Sequence, residues 1–236
     1  MKLKIGLTEI ANVATIVACV VISVAVWRGR SVAVRSVPVG PTAPAIPVEK
    51  IDGKTKLPSS TTTGKDGARV VVIEFSDFEC PFCGQYARDT FPRIRNEYID
   101  TGKIAYAYRH FPLPIHPNAR DAAQAASCAA DQRQFWPMHD ELFSHQRALT
   151  EPDLTEHAVH LALDEARFLN CLHMRNTGID DDMAEGKRLG VVATPSFVVG
   201  IIHQGGVVEL WKRIRGAQPI DTFRAVLAEA LATRTS

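Results

Sequence analysis

Residues 70–83 read VVVIEFSDFECPFC. Four β-branched residues, Val70, Val71, Val72 and Ile73, lead through Glu74 and Phe75 into a short polar turn. The stretch ends in Cys80 and Cys83, with Pro81 and Phe82 between them. An apolar run of this length reads as a strand buried on both faces. Pro81 suits the first position of a helix, so the pattern sets a thiol at a helix N-terminus. There the macrodipole and the unpaired N–H groups favour the thiolate. A buried strand feeding a thiol pair at a helix start is a redox arrangement.

The rest of the chain bounds that reading. Its 236 residues suggest one domain, or one domain with an insertion and a tail. With 27 basic and 26 acidic side chains the net charge is near zero, which argues against a field-driven nucleic-acid binder. Five cysteines are too few for a disulfide-framework miniprotein. They suffice for one redox pair, one structural pair and one more thiol.

Residues 10–27 form an apolar run broken only by Asn12, Thr15 and Ser23. As a helix it would span about 27 Å, close to the ~30 Å hydrocarbon core. Lys2 and Lys4 precede it, and no small-residue cleavage site follows it. Residues 1–30 therefore read as a cytoplasmic stub and transmembrane anchor, in preference to a cleaved signal peptide. Cys19 is a small apolar residue within that run. Residues 31–66 read as a Pro/Thr-rich linker: Pro38, Pro41, Pro44 and Pro47 recur every third residue, and 59–63 is a Ser/Thr tract. A short strand near 51–57 is a weak signal. The domain proper is expected over 67–236.

Working onward from the motif, 83–98 reads as a helix with a kink at Pro92, closed by Gly102. Residues 103–111 contain the alternating IAYAYRHF and read as a second strand, parallel to the first with a right-handed crossover. An insert of about 113–190 is helical. It holds an Ala-rich helix at 119–134, a helix through Phe143 with Pro137 in its first turn, and helices capped by Thr150 or Asp153 and by Asp164. A last insert helix over 179–189 stops at Gly190. Strands return at 196–199 and 207–214, joined through Gly205-Gly206, and 217–232 is a final amphipathic helix.

A C-x-x-C pair also serves in zinc knuckles, but tetrahedral zinc needs four ligands and there is no second pair; Cys128 and Cys171 stand apart. Glu74 lies in an apolar strand six residues before Cys80. Burial there would raise its pKa and let it relay a proton to Cys83; at an open edge it would simply be solvated. Thr194-Pro195 precedes a strand, where the proline removes a donor and leaves neighbouring backbone to pair with an extended peptide. By sequence alone the default for the bond before Pro195 is an ordinary trans turn proline, with cis as the alternative. Among the eight histidines, His157 and His160 stand at i, i+3 on a helix, a chelating geometry. With no third ligand near them in the sequence, they read as surface residues. Asp180, Asp181 and Asp182 read as a solvated first helical turn.

The segments EFSDFECPFC, SCAADQRQFWPMHDELF and VVATPSFVVG together resemble the DsbA-like thiol:disulfide oxidoreductases, from about residue 69 to the C-terminus. The order β-α-β, helical block, β-β-α matches that family's α/β thioredoxin fold with an inserted helical subdomain. The resemblance implies that Cys80 is the exposed nucleophile and Cys83 the resolving thiol. It implies that Glu74 is the buried acid, that Pro195 is a cis-proline beside the substrate groove, and that Thr194 offers backbone to a bound peptide. Pro81 and Phe82 would tune the pair. Phe82 stands where the best-known members carry a histidine, so thiolate stabilisation falls to the helix terminus. Cys128 and Cys171 would form a structural disulfide.

The apolar run at 10–27 and the resemblance together imply a membrane-tethered, extracytoplasmic enzyme that oxidises reduced exported polypeptides. It would need no cofactor beyond the Cys80–Cys83 disulfide and no metal, and it would act as a monomer. A quinone-linked membrane partner would reoxidise it. Two alternatives stand beside this: a reductase or isomerase fed by a membrane electron donor, and a non-enzymatic peptide-binding or chaperone module.

Overall fold

A computed structural model of the chain describes residues 48–174 and 176–233. The anchor expected at 1–30 and the proline-rich first part of the linker lie outside the described residues. Among the described residues no helix is long and apolar enough to cross a membrane.

The chain builds one mixed sheet around strand β4 (Val70–Ser76). β4 pairs in parallel with β5 (Ile104–His110) and antiparallel with β6 (Ser196–Ile202). β6 in turn pairs antiparallel with β7 (Val207–Arg215). Every residue of β4 and β5 is buried, so the alternation of 104–111 marks two covered faces rather than one wet face. Alternate β4 residues supply two separate cores. Val70 and Val72 join Ile104, Tyr106, Phe197 and the final helix α8 (Ile220–Ala232) on one face. Val71, Ile73 and Phe75 join Ala105, Ala107, Val198 and Val208 on the other. Each large apolar side chain buried in this way contributes about 1.5–3 kcal/mol.

Three short strands correct the linker reading. β1 (Glu49–Lys50) and β2 (Lys54–Lys56) pair with β7, and β3 (Thr62–Thr63) pairs with β5. The folded domain therefore includes 48–66 and starts before residue 67. Strands of two or three residues carry no readable periodicity. Their place is set by the long strands they border: Ile51 and Leu57 pack beneath the sheet, and Arg213 donates to Glu49.

The helix expected over 83–98 is three pieces: α1 (Pro81–Asp89), α2 (Phe91–Ile94) and a π-helical turn (Arg95–Ile99). The break falls at Thr90, two residues before Pro92, because the proline cannot donate back to the preceding turn. α2 restarts on the Thr90 carbonyl, which accepts from Arg93 and Ile94.

The insert holds α3 (Ala119–Ala130), α4 (Phe135–Ser144), α5 (Glu151–His160) and α6 (Glu165–Leu172), packed as a third core with Phe168, Leu154, Met138 and Leu142. Thr150 begins α5, its N–H and hydroxyl both donating to Asp153, and the Asp164 carboxylate caps α6 at the Arg167 N–H. α7 (Thr177–Arg188) returns to cover the second sheet face. Gly186 is required there, since a Cβ would collide with the rings of Phe111 and Phe75. Asp182 on α7 is not solvated as its sequence context suggests. It is buried, pairing with Arg109 and accepting from the His110 N–H.

Candidate active site

Cys80 sits at the N-cap of α1 in extended conformation, with Pro81 at the first helical position. Both motif cysteines are thiols. The Cys80 side chain is only 3 % exposed, so the expected open position is not found. Its sulfur lies under the Thr194 carbonyl, to which the thiol donates at 3.6 Å. The exposed parts of the site are its flanks, Pro81 and Phe82 on one side and Val192 on the other.

The environment separates the two thiols. Cys80 is lowered to about 6, first by the Cys83 thiol donating to it, then, against the cost of burial, by the Thr194 hydroxyl and the backbone N–H groups of Cys83 and Phe82. Phe82 thus acts through its backbone while its ring faces solvent. Cys83 moves the other way. Burial pushes it well up, and the neighbouring Cys80 sulfur and the Glu74 charge add to that. One thiol is poised as thiolate and the other held protonated.

Glu74 lies on the β4 face that points toward α1, 1 % exposed. Burial raises its pKa. Tyr106 donates to Glu74 Oε2 at 2.7 Å, and the Tyr86 hydroxyl lies 2.9 Å from that of Tyr106. Both tyrosines are buried and their pKa values pushed well up, first by burial and then by the Glu74 charge, so they remain hydroxyls. A carboxyl, two phenols and a thiol of shifted acidity therefore meet behind Cys80.

The Thr194–Pro195 bond is cis. The turn before the motif is held from several directions. Asp77 accepts from the N–H groups of Glu79 and Leu113 and from His116, and Glu79 accepts from Asn118 at the start of α3. Phe78 stacks on Tyr108 with ring centres 5.1 Å apart. From the insert, Gln146 donates to the carbonyls of Phe78 at 2.8 Å and of Cys80 at 3.0 Å. Gly84 makes this possible, because a Cβ there would overlap the Gln146 amide. An open groove of about 590 Å³ runs beside the motif between Pro81, Arg88, Phe143 and Arg147.

The structure thus gathers Cys80, Cys83, Glu74, Thr194 and Pro195 into one site. Cys128 and Cys171 are joined as a disulfide between α3 and α6, away from it. Gln146, Tyr106 and Tyr86 were not legible as site residues. Their only sequence signals, a polar residue after a helix and two aromatics in core positions, are the commonest of patterns.

The sequence matches the family model described as thioredoxin over residues 56–205. The chain belongs to the thioredoxin family. Among solved structures, this thioredoxin domain is similar to oxidised BdbD of Bacillus subtilis, with TM-score 0.64 and 22 % identity over 78 % of this chain and 99 % of that one. It is also similar to alpha-DsbA1 of Wolbachia pipientis, with TM-score 0.61 and 23 % identity over 73 % and 91 %. The shared fold is that of the DsbA-like thiol-disulfide oxidoreductases. Curated relatives include a Na(+)/H(+) antiporter NhaA 3 of Salinispora tropica, 42 % identical over 146 residues, which are 60 % of this chain and 22 % of that protein. A Na(+)/H(+) antiporter NhaA 1 of Salinispora arenicola is 37 % identical over 172 residues, 72 % of this chain and 24 % of that protein. The chain thus spans about a quarter of the length of these relatives.

Proposed function

We propose that this domain oxidises the thiols of exported polypeptides through Cys80 and Cys83. The observation that carries the reading is the divided acidity of the pair, with Cys80 at about 6 and Cys83 well above an ordinary thiol. The cycle begins with the Cys80–Cys83 disulfide. A substrate thiolate attacks Cys80 Sγ, forming a mixed disulfide and breaking the bond to Cys83. The electron pair leaves on Cys83 Sγ, which takes up a proton because its pKa is high. Glu74, whose pKa burial raises, is the proton donor in this reading. A second substrate thiolate then attacks the substrate sulfur of the mixed disulfide, and Cys80 departs as thiolate. A thiol of low pKa is the better leaving group, so substrate oxidation is the favoured direction. Two electrons remain on the motif, to be passed to a membrane partner of quinone-linked type.

An incoming peptide would lie across Phe82 and Val192, which are 64 % and 77 % exposed, and pair with backbone beside Thr194 and Pro195. The location is read as extracytoplasmic, with the apolar run at 10–27 as tether. One observation supports it: a Cys128–Cys171 disulfide suits an oxidising compartment. The protein is read as acting as a monomer.

The deciding measurement is the reduction potential of the Cys80–Cys83 pair, read with capture of substrates by the Cys83→Ser variant. A potential near −120 mV, with mixed disulfides to exported proteins on non-reducing gels, is expected of an oxidant. A value near −270 mV would overturn the direction and assign a reductant. Absence of any trapped species would overturn the exchange role itself.

A further inference from the structure

On the insert, outside the redox site, three histidine side chains converge on one carboxylate oxygen. Glu141 Oε1 lies 3.3 Å from His145 Nδ1, 3.3 Å from His157 Nδ1 and 3.1 Å from His160 Nδ1. Glu141 comes from α4, His145 from its C-terminal end, and His157 and His160 from α5. Glu141, His145 and His157 can each offer one ligand atom within 4.8 Å of the other two. The third ligand that the sequence did not show beside His157 and His160 is therefore supplied by the neighbouring helix.

The hydrogen bonding of His157 shows what belongs between these groups. Its Nε2 lies 2.9 Å from the Ala148 carbonyl, which can only accept, so Nε2 carries a proton. In the neutral imidazole Nδ1 then holds a lone pair, and it points at a carboxylate oxygen. Two lone pairs facing each other repel unless a cation lies between them. A divalent metal between them meets that demand. The Glu–His spacings match the edge of a tetrahedron with bonds of 2.0–2.1 Å, which is about 3.3 Å. Imidazole nitrogens with one carboxylate are a zinc-type donor set. A ligand histidine whose other nitrogen donates to a backbone carbonyl is the usual supporting arrangement.

We propose that Glu141, His145, His157 and His160 bind a divalent transition ion of zinc type. His157 is buried and fixed by Ala148, whereas His145 and His160 are 51 % and 69 % exposed and can turn onto an ion. His145 Nδ1 also lies 3.0 Å from the Glu141 carbonyl, a contact the ring would give up on ligation. The ion would pin residues 145–148, the segment whose Gln146 holds the carbonyls of Phe78 and Cys80. The site thus ties metal occupancy to the loop that clamps the redox motif, and its existence does not rest on the proposed redox direction.

The test uses the untagged full chain with Cys80 and Cys83 oxidised and the remaining thiol alkylated, so that no sulfur can bind metal. Zn²⁺ is titrated against a chromophoric chelator. One equivalent is expected to bind, at least tenfold more weakly in the paired variant His145→Ala/His160→Ala. That variant leaves His157 and its bond to Ala148 in place, and its thermal melt without metal checks folding. Glu141→Gln is expected to weaken binding by a similar factor. No binding by the native chain, or a loss smaller than tenfold in the paired variant, overturns the proposal. Substitution with Co²⁺ gives a second readout: intense visible bands of a tetrahedral complex are expected, and the weak spectrum of the hydrated ion would count against the site.

Discussion

The two thiols of the motif differ because of what each one touches. In an unfolded chain Cys80 holds its proton to about pH 8.5, but in the folded, reduced protein it loses it at about 6. Between those values the unfolded state binds more protons, so the reduced protein gains stability as pH rises and loses it as pH falls through 6. The gain is on the order of 3 kcal/mol. Denaturation of reduced and oxidised protein at pH 5.5 and 8 measures it, and a reduced-minus-oxidised difference that stays flat would refute the Cys80 assignment. Alkylation of Cys80 is expected to follow the same midpoint. Glu74 belongs to the other thiol. Glu74→Gln keeps the shape of the group and removes its titratable proton. Resolution of a mixed disulfide by Cys83 is expected to slow about tenfold or more, while Cys80 alkylation at pH 7 is unchanged. Equal effects on both would place Glu74 in a general packing role. That Cys80, Cys83 and Glu74 meet was legible because all three lie within the same short stretch. Tyr106 and Gln146 reach Glu74 and the Cys80 carbonyl from 32 and 66 residues away, and no local pattern encodes such meetings.

At the level of elements, sequence reading worked where an end is fixed by its own residues. Asp164 and the Thr150–Asp153 pair cap their helices as their spacing suggests. It failed where a partner decides: β1 and β3 exist because β7 and β5 present open edges to them, whereas β2 falls within the short strand expected near 51–57. The break at Thr90 lies between these cases, since Pro92 fixes that the helix is interrupted while packing of Phe91 against Tyr106 and Trp136 fixes where it resumes. The Cys128–Cys171 bond joins α3 to α6 across 43 residues. Closing a loop of that length stabilises by about 4 kcal/mol in the chain-entropy account. Replacing both cysteines by alanine is therefore expected to lower the melting temperature clearly and to leave the pH profile of Cys80 alkylation unmoved. A variant that melts with the native protein would show that the insert holds together by packing alone.

For the whole domain, the order of elements was readable and the boundary was not. A mixed sheet with cores on both faces and a third core in the insert follows from the continuous burial of β4, whose alternate residues face opposite cores, and the helical block after β5. The start of the domain is hidden in a stretch whose composition suits a linker. A chain shortened to begin at Arg69 loses β1, β2 and β3 and leaves Arg213, 8 % exposed, without Glu49. That shortened chain is expected to melt far below the native protein, and equal melting would return 48–66 to the status of a tether. The short flanking strands matter in a further way. A catalyst that meets unfolded polypeptides is surrounded by segments ready to add to any open sheet. Here the outer positions are two- and three-residue strands bearing the exposed Lys50, Lys54 and Lys56, a poor template for further pairing. Under the proposed function, client chains would be denied the rim of the sheet as a nucleus for co-aggregation, and the backbone left to receive them would be the turn facing Cys80.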